Sequence, residues 1–276
     1  MKESIGYKAQ KELEKIIYKD FGLYRFKQYK KAKVDQLLTS YDEIKLLWDQ
    51  EIKFRPGFSV DKETVNMPVI FAKMNGVPGK GNFMDGYRYW KEIKEFITDN
   101  TIVYKNEIKI KVVFFEKFKI ALQGFIKKGK LNVDKLRFSN CFKYYSLPNY
   151  LREHILEKVK YVIDNNILKS ASSKNVDLDI LAVVSKFPKK IIKMLNEFDF
   201  TKRNPKIIFI MDKEKLLSLS EAIFLVLLYY IGFDILIFAP NGISNIEYML
   251  NKNIIQVHEL GTYNTKIKIP IFTLMF

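Results

Sequence analysis

The chain has 276 residues, 48% hydrophobic and 28% charged, with a net charge of +16. That is enough for one large domain or two ordinary ones around a real core, and it excludes a disordered chain. The single cysteine, Cys141, excludes an internal disulfide and a cysteine-built zinc site, and it suits a reducing compartment.

The opening stretch MKESIGYKAQKELEK has no apolar run behind its charges and does not read as a signal peptide. Residues 7–34 mix charges with scattered apolar positions and predict one or two amphipathic helices broken near Gly22. A further helix follows in LLTSYDEIKLLWDQEIKF, with Thr39 or Ser40 as its cap and Asp42 and Glu43 complementing its dipole. Arg55-Pro56-Gly57 ends it. Val69, Ile70 and Phe71 predict a short strand, Gly76 to Gly81 a loop, and FMDGYRYWKEIKEFITDN a helix. TIVYKNEIKIKVVFFEKF predicts two strands around a Lys105-Asn106 turn. PNYLREHILEKVKYVIDNNIL and VDLDILAVVSKF are helical, and Pro188 takes the first position of the next helix.

From Pro205 the pattern changes. KIIFIM, DILIFAP and NIIQVHEL are near-continuous apolar strands; between them lie SLSEAIFLVLLYYIG, with a Ser218/Glu221 capping box, and SNIEYML, capped by Ser244. The longest apolar run, 222–240, is cut by Gly232 and Asp234, so it reads as a buried helix and strand and not as a membrane span. The predicted fold class is α/β. It has a helical region over 1–60, a strand–loop–helix unit and helical middle over 61–204, and a C-terminal parallel βαβαβ, Rossmann-like unit over 205–276.

Two places could carry chemistry. The loop GVPGKGN follows a strand, but Asn82 stands where a Walker A lysine should be, and the glycine spacing fits no dinucleotide fingerprint. Free backbone N–H groups beside lysines can still hold an anion, which makes Lys73, Asn75, Gly76, Gly79, Lys80 and Gly81 a candidate anion site; the alternative is a structural turn. Lys73 is expected to face the same space as the N–H groups of Gly76 to Gly81 and to be dispensable for stability. The second candidate is the crevice beyond the carboxyl ends of the C-terminal strands, with Asp212, Asn241, Ser244, His258 and Glu259; as turn and cap residues they have an ordinary structural reading too.

Other constellations are thinner. His154 and Glu157 share a helix face but make half a metal site at most, and no metal or cofactor follows from these residues. Cys141 has no adjacent base. The helices of 176–203 meet at Phe187-Pro188 and offer mostly lysines where a base-reading helix would need polar variety. The charge excess peaks in residues 121–204, with 17 Lys/Arg against 8 Asp/Glu. Lysine dominates it, which argues for solvated surface over phosphate-clamping arginines, although a basic nucleic-acid-binding protein stays open as an alternative.

Three ordered blocks, TSYDEIKLLWDQEIKFRPGF, NMPVIFAKMNGV with Tyr89-Trp90, and FDFTKRNPKIIFI with SEAIFLVLLYYIGFDILIFAPNGISNIEYM, resemble the bacterial YceG-like family. The resemblance runs from about residue 39 to the end. It implies a component of a tellurium-resistance-associated "biosynthetic module" and a short or partial member lacking mainly upstream sequence; the cytoplasmic expectation comes instead from the missing signal peptide and membrane span. The implied role is an enzyme subunit or accessory factor handling a small phosphorylated or nucleoside-like metabolite. The implied partners are other proteins of a tellurium-resistance operon, and a scaffold without a ligand is the third reading; no membrane partner is expected, because no apolar run is long enough to span one. Phe71-Ala72-Lys73, Asn75-Gly76, Gly232-Phe233-Asp234, Pro240 and Gly242 are the implied signature positions.

Overall fold

The computed structural model describes residues 31–61, 64–79, 83–110, 112–127, 129–169, 175–199, 201–243 and 245–267. Strand β1 (Lys31–Gln36) leads to helix α1 (Tyr41–Leu47), a 3-10 turn, β2 (Ser59–Asp61), β3 (Thr64–Val69) and β4 (Phe71–Asn75). Then come α2 (Phe83–Glu95), β5 (Thr101–Lys105), α3 (Phe114–Leu122), β6 (Ile126–Lys127), β7 (Lys130–Leu131) and α4 (Val133–Arg137). Helices α5 (Asn149–Asp164), α6 (Val176–Val184) and α7 (Lys189–Glu197) precede β8 (Lys206–Ile210), α8 (Leu219–Ile231), β9 (Asp234–Ala239) and β10 (Gln256–Glu259).

A five-stranded parallel sheet, ordered β10-β4-β9-β8-β5, forms the centre. Its strands alternate cleanly between two cores, as a pleat buried on both faces requires. Ala72, Met74, Ile208, Ile210, Leu236 and Phe238 pack with Trp48 of the α1 region and with Tyr89, Ile93 and Phe96 of the α2 region. Phe71, Ile207, Phe209, Ile235 and Ile237 point the other way, onto α8 and the helices behind it. A smaller sheet, β1-β3-β2, joins the large one where β3 passes directly into β4.

The handover at Ile70 is pinned by a buried ion pair. Asp234 accepts from Ile70 N at 2.9 Å, while Arg55 grips the same carboxylate with two nitrogens, at 2.9 and 2.6 Å. Arg55 also donates to the carbonyls of Leu47 and Pro68. Both side chains are fully buried, and the multiple hydrogen bonds are what make such a pair tolerable away from water. Asp234 thus has a structural role at the amino end of β9.

Local signals set several boundaries. Ser40 with Glu43 and Ser218 with Glu221 form reciprocal capping boxes. Gly232, at φ 121°, ends α8 in a conformation closed to most side chains. Pro188 lies one position outside α7, as its N-cap.

Elsewhere the structure corrects the expectations. Residues 31–34, read as helical, form β1, because Lys-Ala-Lys-Val alternates at period two and pairs in parallel with β3; residues 7–30 lie outside the described residues. The strand placed at Val69–Phe71 is the junction of two strands. Among the described residues no second strand follows Asn106: Glu107 makes one bridge to Lys105, and Phe114–Leu122 is a helix. SNIEYML contributes only a 3-10 turn over Glu247–Met249, and Ser244 lies outside the described residues. The strands after Pro205 do lie in one parallel sheet, but β4 separates β9 from β10.

Candidate functional site

In this sheet β4 and β9 are neighbours whose chains leave in opposite directions. After β4 the chain runs to α2, on the Trp48 side; after β9 it runs to Ile246 and Leu250, which belong to the α8 side. Adjacent parallel strands that part in this way open a crevice at their carboxyl ends, the place where open α/β sheets hold ligands.

The crevice carries a set of polar side chains on the α8 side of the sheet. Lys73, only 4% exposed, is paired with Glu247 at 2.5 Å. Asn75, one pleat further on, donates to Glu259 Oε1 at 2.8 Å from the register-paired position of β10. Glu259 accepts from the Tyr263 hydroxyl at 3.0 Å, and this bond holds the phenol proton above its ordinary range. Asn75 Oδ1 is buried without a hydrogen-bond partner among the described residues. A buried acceptor left open in this way has a cost, and a ligand donor would relieve it.

Residues 260–264 cross the crevice as a strap. Leu260 N donates to Asn75 O at 2.8 Å, Val77 N to Thr262 O at 2.9 Å, and Asn264 N to Pro240 O at 2.8 Å, which ties the strap to both walls. Two glycines, Gly76 and Gly242, make the fit. A Cβ on Gly76 (φ 76°) would lie 2.9 Å from Gly261 O, and one on Gly242 (φ 70°) would lie 2.9 Å from the Tyr263 ring. Both therefore serve close approach as well as turning.

The candidates from sequence are distributed as follows. Lys73 and Asn75 share the α8 side of β4 with Glu259, whereas the loop after Gly76 leads to α2 on the other side; Lys73 is buried and committed to Glu247, so it is no dispensable surface residue. Gly79 O accepts from Thr262 Oγ1 of the strap. Lys80 and Gly81 lie outside the described residues. Asp212 belongs to a separate knot, bonded to Lys105 at 2.8 Å and Asn106 at 2.6 Å. Asn241 ties its own turn to the neighbouring loop, accepting from Ile243 N at 3.0 Å and donating to Lys213 O at 3.1 Å. His258 points to the opposite face, where burial pushes its pKa down. The sequence reading missed Glu247 and Tyr263. A lysine inside an apolar strand was the available signal that a carboxylate partner had to exist.

A cavity of about 690 Å³ lies at the other end of the sheet, beside Asn100, Thr101, Lys190, Lys193, Glu197 and Arg203. Its cations are matched by Glu51, Asp99, Glu197 and Asp199, and it sits at the amino ends of β5 and β8. The crevice is the better candidate, since its polar groups are anchored on strands and converge at the switch point. Among the described residues no cluster of three metal-ligating side chains occurs, and no helix is long and apolar enough to cross a membrane.

The sequence model of the YceG domain matches residues 38–272. The chain is 26% identical over 273 residues to "Uncharacterized protein YceG" of Bacillus subtilis (strain 168), covering 94% of this chain and 49% of that protein. It thus spans about half the length of that relative. No solved structure matches.

Proposed function

The chain belongs to the YceG domain family, and on that premise we propose that it binds a small phosphorylated or nucleoside-like metabolite in the crevice between β4 and β9. In this reading it is an enzyme subunit or accessory factor of a stress-linked, tellurite-resistance-associated biosynthetic module. The module rests on the family resemblance alone. The ligand class rests on one observation: the Asn75–Glu259 and Lys73–Glu247 pairs stand together where the chains leaving β4 and β9 part. An amide with an open acceptor beside a carboxylate suits the hydroxyls of a ribose or sugar. A lysine already held beside a carboxylate can exchange that partner for a phosphate oxygen.

The test is a thermal-shift and calorimetric screen of nucleotides and sugar phosphates on wild type and Glu259→Gln. Glu259 is exposed, so the substitution should leave the unliganded melting temperature in place. A ligand bound here should lose about tenfold in affinity, roughly 1.4 kcal/mol. A wild type that responds to no member of the panel, or a variant that binds equally well, would overturn the proposal.

A further inference from the structure

Helix α3 is turned inside out. At about 100° per residue, Phe114, Phe118, Leu122 and Phe115 fall on one arc, and that arc faces solvent: the four are 83%, 50%, 71% and 62% exposed. Two charged residues, Glu116 and Lys117, lie on the inner side. Glu116 pairs with Lys186, and Lys117 pairs with the buried Asp179 of α6. Ile120 is the buried apolar residue of the helix. An ordinary surface helix does the reverse.

The surroundings of this arc are basic. Lys119 sits 4.4 Å from the centre of the Phe115 ring. The hairpin that follows exposes Lys127 and Lys130, and Lys135 reaches the turn at Gly124 that ends the helix. Arg137 holds the exposed Asp134 and, with two further nitrogens, Glu153 of α5.

We propose that α3 and the β6–β7 hairpin form a docking surface for an anionic lipid bilayer. Charge complementarity selects this occupant. A second copy of the chain would set lysines against lysines, whereas anionic headgroups neutralise them while the aromatic arc enters the acyl boundary. No helix among the described residues can cross a membrane. Lying on one requires only an apolar face with basic residues beside it. The proposal departs from the expectation of no membrane partner, of which the structure supports only the absence of a spanning helix among the described residues.

The test is flotation of the full chain with vesicles of phosphatidylcholine alone and of equal parts phosphatidylcholine and phosphatidylglycerol. Binding should require the anionic lipid and weaken with salt. Phe118→Ser should reduce it by about tenfold or more, the equivalent of removing one buried phenylalanine. Lys119→Glu with Lys127→Glu should reduce it about as much, at roughly fivefold or more for each charge. The melting temperatures of the variants serve as folding controls. Absence of binding to the mixed vesicles, or unchanged binding by the Phe118 variant, would overturn the proposal. So would a wild-type dimer that Phe118→Ser dissolves without any effect of lipid, which would make the face an interface between copies.

Discussion

Helices α8 and α3 are both rich in large apolar residues, yet they end in opposite situations. In α8 every residue from Glu221 to Ile231 is buried; in α3 only Ile120 is. The difference is one of layer. α8 lies against the sheet with α5 and α6 on its other side, whereas α3 packs on α6, two layers away from the strands. Apolar content therefore did not decide burial. What decided it was whether a second layer was available to cover the far side of the helix. Leu225→Ala, in the middle of α8, should cost about 2–5 kcal/mol, because a fully enclosed site cannot collapse around the lost methyl groups. Urea unfolding measures this directly. A loss below about 1 kcal/mol would mean that α8 is not sandwiched.

The contrast also explains what could be read in advance. The apolar run of α8, its capping box and its closing glycine are local signals, and α5 shows its buried face at helical spacing. For α3 the local signal misleads. VVFF reads as a strand, and the alternatives can be separated only by knowing that Glu116 and Lys117 find partners on Lys186 and Asp179. Strand order was equally hidden. Nothing near residues 256–259 says that β4 will separate β10 from β9, since parallel pairing joins segments distant in sequence. The site follows the same rule. Lys73, Asn75 and Glu259 were legible as polar residues at strand ends, but Glu247 and Tyr263 reach them through space.

The rear support of α8 can be probed by pH. His154 of α5, fully enclosed, donates from Nε2 to the carbonyl of Ile231, the last residue of α8, at 2.8 Å. Burial, reinforced by the positive charge of Lys158, pushes its pKa down to about 3. In the unfolded chain the imidazole takes up its proton near pH 6.5. Between those values the unfolded state binds more protons, so stability is fully present above about pH 6.5 and falls as the pH drops towards about 3. The expected slope from this group approaches about 1.4 kcal/mol per pH unit. Carboxylates add their own acid dependence, so the informative quantity is the difference between wild type and His154→Gln across a pH series of urea unfolding curves. The variant should show the shallower slope; parallel curves would mean that His154 titrates freely in the folded protein.

The smallest expected effect gives the sharpest reading of the comparison. Phe118→Ser removes an aromatic ring, which in α8 would be among the costliest of changes. In α3 the ring is half exposed and the arc it belongs to faces water. The folded state therefore loses little burial, and stability should stay within about 0.5 kcal/mol of wild type. Two contributions of opposite sign lie inside that margin. Serine and phenylalanine are about equal helix formers, so the loss is that of the covered half of the ring, while removing exposed apolar surface relieves the tendency to associate. Urea unfolding at low protein concentration isolates the first, and light scattering at high concentration reads the second. A destabilisation of 2 kcal/mol or more would show that the ring is covered in solution by a part of the chain or by a second copy, and α3 would then belong with α8 as a core helix.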